Sequence, residues 1–214
     1  MVKRNPERTK ETILDAATGE FTCYGLGGAR IDAIAERAGS NKRMIYHYFG
    51  DKEGLYFAVL DHAFAKMLAA ERALEIDYTQ PLFGIAEITR FTWQYFLANP
   101  EMVSLLGTEN LNHGRFLAKS ANGKLVNHHL LEKLQNLADR GIEEGSVRSG
   151  LDALKIFMTV ASMSFFYLSN RFTLSTIFDR DFERKESLAR WEDHIVHVVL
   201  KSTAPQLSEA SSSA

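Results

Sequence analysis

The sequence has little cysteine, no long apolar run and no apolar segment at its start. Cys23 is the single cysteine among 214 residues, so an intramolecular disulfide is excluded and a reducing compartment is expected. The most apolar run, IFMTVASMSFFYL at 156–168, is shorter than the roughly 18 to 20 residues that a membrane-spanning helix needs. The first residues, MVKRNPERTKETILDA, lack the apolar stretch of a secretion signal. We therefore expect a soluble cytoplasmic protein without membrane contact.

The chain also lacks a strong charge of either sign. Its formal net charge is −2, which by itself argues against binding of nucleic acid. Residues 1–50, however, hold eight Lys/Arg and six Asp/Glu, so the N-terminal part of the chain is its positive end. An asymmetry of this size also fits a chance distribution of charges, so charge alone does not decide whether the N-terminal part binds a polyanion.

Strand patterns are lacking as well, because one helical pattern follows another along the chain. Asn5-Pro6-Glu7 predicts a helix start, with an N-cap, a proline at the first helical position and an early acid. Apolar residues at spacings of four, four and three then predict an inward stripe, and three glycines end the helix. The stripe is Ile13, Ala17, Phe21 and Tyr24, and the glycines are Gly25, Gly27 and Gly28.

Two short helices follow, separated by a tight turn. The first is predicted by apolar residues at i, i+3, i+4 and i+7, which are Ile31, Ile34, Ala35 and Ala38, and Gly39 ends it. Asn41 is a good N-cap for the second, from Lys42 to Phe49, and Gly50 closes it. A fourth helix begins near Asp51. Two short helices joined by a glycine-containing turn are a helix-turn-helix signature.

The helix over 42–49 mixes aromatic residues with cations, and the helical period places them on two faces. Ile45 and Phe49 share one face and can pack on Ile34 and Ala38 of the preceding helix. Cations beside hydrogen-bonding rings suit the phosphates and base edges of the DNA major groove. A solvated basic face on a structural helix is the alternative interpretation. The outward residues are Lys42, Arg43, Tyr46 and His47.

The segment IDAIAERAG followed by SNKRMIYHYFGDKEGLYFAVL, residues 31–60, resembles the DNA-binding domain of the tetracycline-repressor (TetR) family of bacterial transcription regulators. The resemblance implies an all-α fold: a three-helix helix-turn-helix domain at 1–52 and a larger helical effector-binding and dimerisation domain at 53–205. About nine helices are expected. The small polar tail at 206–214 is expected to be disordered. The matching elements are Ile34-Ala35, Ala38-Gly39, Ile45-Tyr46, Tyr48-Phe49, Lys52-Glu53 and Leu55.

The resemblance also implies a role for individual positions. The recognition helix would begin with residues that read base edges, followed by rings that touch the phosphate backbone. Lys52, at the start of the fourth helix, would grip a phosphate. The base-reading residues are Lys42, Arg43 and Met44, and the backbone-contacting residues are Tyr46 and Tyr48. His47 lies at a position between those that reach the bases and those that reach the backbone.

Two departures from the family pattern concern the same surface. Ala29-Arg30 stand where the family often has a threonine or serine that caps the second helix, so the cap is in question, while Arg30 itself could contact a phosphate. Arg43 and Met44 replace what are frequently a small residue and a threonine. The operator sequence of a relative therefore cannot be transferred to this chain.

The remaining chain predicts further amphipathic helices. One ends at Asn99-Pro100, and the helix that starts near Asp152 is apolar on two faces and must be covered on both. One face can close a pocket within the subunit while the other meets a second subunit. In the TetR family the final two helices pair with their copies in a four-helix dimer interface, and the last helix, about 183–202, suits that role. A purely intramolecular core is the alternative.

An apolar effector pocket is expected in this C-terminal region, with a few polar groups that orient the ligand. Each candidate could equally be an ordinary core residue. The apolar candidates are Trp93, Phe96, Met102, Met163 and Phe166, and the polar candidates are Glu109, His113 and Tyr167.

Other site classes find little support. His128-His129 and His194-x-x-His197 invite a metal interpretation, but no cysteine or carboxylate stands at partner spacing, so no metal or other cofactor is expected. Nucleophile elbows, glycine-rich phosphate loops and paired catalytic carboxylates are missing, and we expect no enzyme. The sequence favours a homodimeric repressor that binds an inverted-repeat operator on duplex DNA and responds to a small, largely apolar effector. The alternative is a helical small-molecule binding or enzyme-like protein whose N-terminal helices dock on a protein partner.

Overall fold

The computed structural model describes residues 6–205, and over this range the chain is built from helices without a strand. The all-α prediction is confirmed. Asn5 and the tail at 206–214, for which an N-cap and disorder were predicted, lie outside the described residues. A short 3-10 helix, Leu117–Lys119, lies between the sixth and seventh α-helices. The α-helices of the described range are α1 (Pro6–Gly28), α2 (Ile31–Arg37), α3 (Lys42–Phe49), α4 (Lys52–Ala73), α5 (Pro81–Ala98), α6 (Pro100–Leu111), α7 (Ala121–Leu125), α8 (His128–Glu143), α9 (Ala153–Phe178) and α10 (Lys185–Thr203).

Internal contacts divide the chain into two compact units. The first unit comprises residues up to Ala70 together with Asn99–Val126, and the second comprises Glu71–Ala98 together with residues from Asn127 onward. The predicted boundary between residues 52 and 53 stays a prediction about where the DNA-binding function ends.

In the first unit α1 packs against α2 and α6, and α2 packs against α3. Its core contains Phe21, whose ring meets Tyr56 edge-on at a centroid distance of 5.2 Å, and Tyr56 meets Phe116 at 5.0 Å. Full burial of each large apolar side chain stabilises the fold by about 1.5–3 kcal/mol. The aliphatic residues sealed in this core are Ile13, Ile34, Ile45, Leu55 and Leu60.

The end of α1 differs from the prediction at one residue. Gly25 has φ 62° and ψ −178°, a conformation open to glycine, and α1 bends there before it ends at Gly28. Tyr24 was predicted to face inward, and this is wrong, because its side chain is 61% exposed. Regular helical geometry stops at the next residue, so the inward stripe of α1 ends with Phe21.

In the second unit α5 lies at the centre, packed against α8, α9 and α10. α5 is apolar on most of its circumference and is buried accordingly. Its two buried threonines, Thr89 and Thr92, satisfy their hydroxyls by donating to the carbonyls of Ile85 and Ile88 one turn earlier. The other buried residues of α5 are Pro81, Gly84, Ile85, Ala86, Ile88, Trp93 and Phe96.

A buried carboxylate holds the start of α8 in the second unit. Glu71 is 0% exposed, and its two carboxylate oxygens accept the backbone N–H of Asn127 at 3.1 and 3.0 Å. Lys133 donates its Nζ to the carbonyls of Glu71 and Leu74. Burial raises the pKa of Glu71 to about 7, although the Asn127 N–H and the Lys133 charge act in the opposite direction. The carboxyl group therefore titrates near neutral pH.

α9 has one buried and one exposed apolar face. Ile156, Val160 and Tyr167 lie on one of the two apolar faces predicted for this helix, and all three are buried in the second unit. Asp152 caps the helix, since its Oδ1 accepts the backbone N–H groups of Leu154 and Lys155. The outward face of α9, defined by Leu154, Met158, Phe166 and Phe172, is more than half exposed at each residue.

Candidate functional site

The turn between α2 and α3 fixes the orientation of α3. Asn41 acts as the predicted N-cap, because its Oδ1 accepts the backbone N–H of Met44 at 3.0 Å. Gly39 adopts φ 56°, and the N–H of Ser40 donates to the carbonyl of Ala35 at 2.9 Å. Ile45, which is 0% exposed, anchors the helix to the core. With one face fixed, the rest of α3 must point outward.

The exposed face of α3 carries the residues that the sequence assigned to it. Lys42, Arg43, Tyr46 and His47 are exposed, which confirms the predicted division of the helix. Met44 and Tyr48 are half-buried at its margin. Phe49, predicted to face inward, is also half-buried, with its ring 6.2 Å from that of Tyr48.

The two cations at the start of α3 differ in their side-chain partners. Lys42 Nζ lies 2.7 Å from Asp32 Oδ1, and this hydrogen bond, followed by the Asp32 charge, raises the pKa of Lys42. Arg43 is exposed and makes no ion pair or hydrogen bond with any side chain between residues 6 and 205. Arg43 is therefore available to an incoming ligand, whereas Lys42 must first leave Asp32.

Arg30 and Lys52 lie at the starts of the helices that precede and follow α3. Arg30 is exposed at the N-cap position of α2 and forms no side-chain cap, which answers the question that the departure from the family pattern raised. Lys52, at the first position of α4, donates its Nζ to the Gly27 carbonyl at 3.1 Å. Lys52 therefore ties the end of α1 to the start of α4, in addition to the phosphate contact predicted for it.

One supporting residue was missed from the sequence. Glu20 is 2% exposed, and its Oε1 accepts the backbone N–H of Arg30 at 3.0 Å, while Arg37 lies 3.5 Å from its Oε2. This carboxylate fixes the backbone at the N-cap residue of α2, and the first turn of the helix itself has no side-chain cap. The available signal was an acid next to Phe21 inside the otherwise apolar stripe of α1.

The predicted effector residues fall into both compact units. Met102 and Glu109 are buried in the first unit, and His113 is exposed in the turn after α6 with φ 56°. Glu109 Oε2 accepts the backbone N–H groups of Phe116 and Leu117, at 3.2 and 2.9 Å. Burial, and secondarily the Glu109 carboxylate, raises the pKa of Tyr56. Within this unit Glu109 supports the chain after α6.

The other predicted effector residues belong to the second unit, where two of them meet. The Trp93 ring, 1% exposed, meets Tyr167 edge-on at 5.5 Å. Phe96 is buried in α5, whereas Met163 is half-buried in α9. Phe166 is 57% exposed and lies on the outward face of α9, away from the buried face that carries Tyr167.

Two further aromatic residues complete this cluster, and the sequence did not single them out for it. Tyr167 lies 5.0 Å from the Trp191 ring and 5.5 Å from the Phe182 ring, and its hydroxyl donates to the Phe182 carbonyl at 2.9 Å. Burial, followed by the Asp181 charge, raises the pKa of Tyr167. Trp191 belongs to α10, and only the packing of α9 on α10 shows that it joins Tyr167.

The histidine pairs do not form a metal centre in the part of the chain that the structure describes, where no three His, Cys, Asp or Glu side chains are placed to hold an ion. His129 accepts a hydrogen bond from Arg72 Nε at 3.2 Å, and His194 packs against the Trp191 ring at 5.1 Å.

Between residues 6 and 205, no helix combines the length and the apolar content that crossing a membrane requires.

Comparisons with known proteins match most of the chain. The family profile described as "Bacterial regulatory proteins, tetR family" matches residues 13–59, and "Tetracyclin repressor-like, C-terminal domain" matches residues 81–199. The HTH-type transcriptional repressor NicS of Pseudomonas putida is 36% identical over 195 residues, which cover 91% of this chain and 92% of that protein. The HTH-type transcriptional repressor SCO4008 of Streptomyces coelicolor is 32% identical over 164 residues, covering 77% and 80%.

A solved structure shows the same fold. The crystal structure of SCO4942 from Streptomyces coelicolor aligns with a TM-score of 0.66 at 20% identity, covering 91% of this chain and 98% of that one. At this identity the likeness concerns the fold alone.

Proposed function

The chain belongs to the TetR family of bacterial transcriptional regulators, and from this we propose that it is a repressor released from an inverted-repeat operator by a small, largely apolar effector. It binds DNA as members of the family do, through its helix-turn-helix. We propose that the protein acts in the cytoplasm, where its operator DNA is located. The relatives NicS and SCO4008, both named repressors, support the direction of regulation.

The observation that carries the proposal is the exposed face of α3. Asn41 and Ile45 fix the helix, so that Arg43 and its exposed neighbours Tyr46 and His47 project from a rigid element. Arg can grip two acceptors of a guanine at once, and ring hydroxyls can bond to phosphates. Arg30 and Lys52 add cations at the starts of the helices that precede and follow α3.

A gel-shift titration against the DNA upstream of the protein's own gene tests this function. Each recognition helix should enter a major groove, with half-sites about one helical turn apart. Because phosphate contacts release counterions, we expect the affinity to fall steeply and linearly on a log–log plot against salt. Binding that ignores salt, or that shows no inverted repeat in a footprint, would contradict the proposal.

Arg43→Ala and Lys52→Ala should weaken DNA binding in different ways. We expect Arg43→Ala to weaken the free energy of operator binding by about 1 to 3 kcal/mol and to relax the preference at one base pair. The reason is that the guanidinium group of Arg43 is proposed to contact a base edge. Lys52→Ala should weaken all sequences alike. The measurement is a gel shift against a set of operators with single base-pair changes.

The matched control for these variants is Lys66→Ala. Lys66 is an exposed lysine on the same helix as Lys52, and the helical rise places it about 21 Å further along α4. Its loss should leave operator binding nearly unchanged. Equal losses for Arg43→Ala and Lys52→Ala on every sequence would refute the division of roles.

Removing the partner of Lys42 should strengthen binding. Asp32 Oδ1 lies 2.7 Å from Lys42 Nζ, so Asp32→Asn would free the lysine for a phosphate or a base. The substitution would also remove a negative charge that repels the DNA. We expect tighter operator binding and a salt slope steeper by about one. Glu36→Gln, at an exposed acid of the same helix, makes the same charge change without touching Lys42. The interpretation fails if Glu36→Gln strengthens binding as much as Asp32→Asn.

Dimerisation is proposed to use the outward face of α9. Leu154, Met158, Phe166 and Phe172 recur on one side of the helix and are each more than half exposed. A contiguous apolar face of this kind on a regulator of this family fits a contact with a second copy. Two recognition helices held by one dimer would then read the two halves of an inverted repeat.

The effector is proposed to bind in the second unit, beside Trp93 and Tyr167. α4 runs from Lys52, next to the recognition helix, to Ala73, and we propose that it carries the signal. A coupling free energy of about 1–3 kcal/mol suffices for a switch, and DNA must weaken effector binding by the same factor.

A further inference from the structure

The serine and threonine hydroxyls of α9 follow one rule, and a single residue departs from it. Ser164 is 0% exposed, and its Oγ has no hydrogen-bond partner among the described residues. Serine and threonine within a helix commonly satisfy their hydroxyls on a carbonyl of the preceding turn. The other serines and threonines of α9 do so: Thr159, Ser162, Ser169, Thr173, Ser175 and Thr176 each donate to the carbonyl three or four residues earlier.

The two tryptophans of the second unit show a parallel contrast. Trp191 donates its indole N–H to the Met163 carbonyl at 3.3 Å. Trp93 is 1% exposed, and its Nε1 finds no acceptor between residues 6 and 205. Buried polar groups in folded proteins are nearly always paired, so each unpaired one points to a water or a ligand.

These two unpaired groups belong to helices that pack on each other. The Trp93 ring on α5 meets the Tyr167 ring on α9 edge-on at 5.5 Å. Ser164 precedes Tyr167 by three residues, which places both on the same side of α9. The N–H of Trp93 and the hydroxyl of Ser164 therefore belong to two helices that pack on each other, each on a side chain at or next to their contact.

The surroundings determine which ligand these groups can take. Among the described residues of the second unit, Glu71 is the single buried charged side chain, and its carboxylate is occupied by the Asn127 N–H. Burying an unpaired charge in such a core is costly, which favours an uncharged ligand. An indole N–H can only donate, so the ligand must present a lone pair to Trp93.

We infer that Trp93 and Ser164 bind the polar edge of the effector, and that the effector is a small, uncharged ring compound with a hydrogen-bond acceptor such as a ring nitrogen or a carbonyl oxygen. This inference rests on the proposed effector response of the chain. The rings of Trp93 and Tyr167 supply the flat apolar contacts, and the two polar groups supply the orientation.

The test follows the two indole N–H signals of the 15N-labelled full chain during titration with pyridine and with benzene. The two probes have the same shape, and at mildly alkaline pH pyridine is uncharged and differs by one acceptor. We expect pyridine to shift the Trp93 signal downfield, to leave the Trp191 signal in place, and to bind about tenfold more tightly than benzene, as one hydrogen bond in a buried site allows. Benzamide should likewise bind more tightly than the charged benzoate.

Variants separate binding from packing. Trp93→Phe should bring the pyridine-to-benzene affinity ratio close to one, while the apolar probe still binds. Ser164→Ala should leave that ratio in place and weaken the binding of benzamide, whose amide offers a second polar group to the hydroxyl. Ser162→Ala, which removes an exposed hydroxyl already paired with the Thr159 carbonyl, is the matched control and should keep the wild-type ratio and the wild-type affinity for benzamide.

Several results would overturn the inference: equal affinities for pyridine and benzene, benzoate binding as tightly as benzamide, or no movement of the Trp93 signal with any acceptor probe. A long-lived water on the Trp93 N–H that pyridine does not displace would assign both groups to internal hydration. The gel-shift test of the proposed function is independent of these results. A chain that binds its operator but fails here loses only the assigned ligand class, and one that takes pyridine at Trp93 but binds no operator loses the proposed repressor function.

Discussion

Met158→Glu is expected to convert the protein from a dimer to a monomer and to abolish high-affinity operator binding. Met158 is 57% exposed at the middle of the outward face of α9, between Leu154 and Phe166. In a symmetric dimer the same patch is used twice, so one substitution places two carboxylates in the contact. An unpaired charge buried in an apolar interface costs several kcal/mol.

The loss of the dimer should appear directly in DNA binding. A monomer occupies one half-site and makes half of the phosphate contacts, so we expect an affinity loss of at least about 100-fold, or about 3 kcal/mol. Sedimentation velocity gives the oligomeric state, and a gel shift gives the affinity for the complete inverted repeat.

Leu111→Glu provides the matched control for this substitution. Leu111 is 83% exposed at the end of α6 in the first unit, so the control introduces the same charge on a different exposed apolar residue. It should remain dimeric and bind the operator normally. A dimeric Met158→Glu variant with full operator affinity would show that the second copy contacts another surface.

Much of the recognition surface could be predicted from the sequence because its determinants are local. The N-cap Asn41, the buried Ile45 and the exposed Arg43 follow from helical spacing and capping chemistry within a few residues. The role of Glu20 could not be predicted in this way. Its partner, the N–H of Arg30, lies ten residues away in the sequence, beyond the range of a local helical pattern.

The candidate effector site was harder to predict for a physical reason. Aromatic stripes at helical spacing show that Trp93 and Tyr167 are buried, but they do not show which side chains meet or which polar atoms stay unpaired. Ser164 looks like any other serine of α9 in the sequence. Only the packing of α5 on α9 distinguishes it from Ser162, whose hydroxyl is already paired.

Glu71→Gln is expected to stabilise the protein at alkaline pH and to remove one component of its pH dependence. The carboxyl of Glu71 has a pKa of about 7 in the folded chain, against an ordinary value of 4.5. The folded state therefore holds this proton more tightly than the unfolded state does. The stabilisation is complete below pH 4.5 and is lost as the pH rises through about 7.

The size of this effect follows from the difference between the folded and unfolded pKa values of Glu71. Between pH 4.5 and about 7 the free energy of unfolding should fall by about 3 kcal/mol through this group alone, because a tenfold difference in proton affinity corresponds to about 1.4 kcal/mol. The charge of Lys133 lowers the pKa of this group but does not offset the effect of burial. Glutamine keeps the shape, accepts the Asn127 N–H with its oxygen and carries no charge to bury.

The measurement is urea denaturation of both proteins at a series of pH values, with the difference curve isolating Glu71 from the other titrating groups. The variant should gain stability over the wild type as the pH rises through neutrality and then stay level. Glu75→Gln, at an exposed glutamate four residues away, should give a flat difference curve. A flat curve for Glu71→Gln too would mean that Glu71 ionises with an ordinary pKa, and that the start of α8 is held by a charged carboxylate at every pH above it.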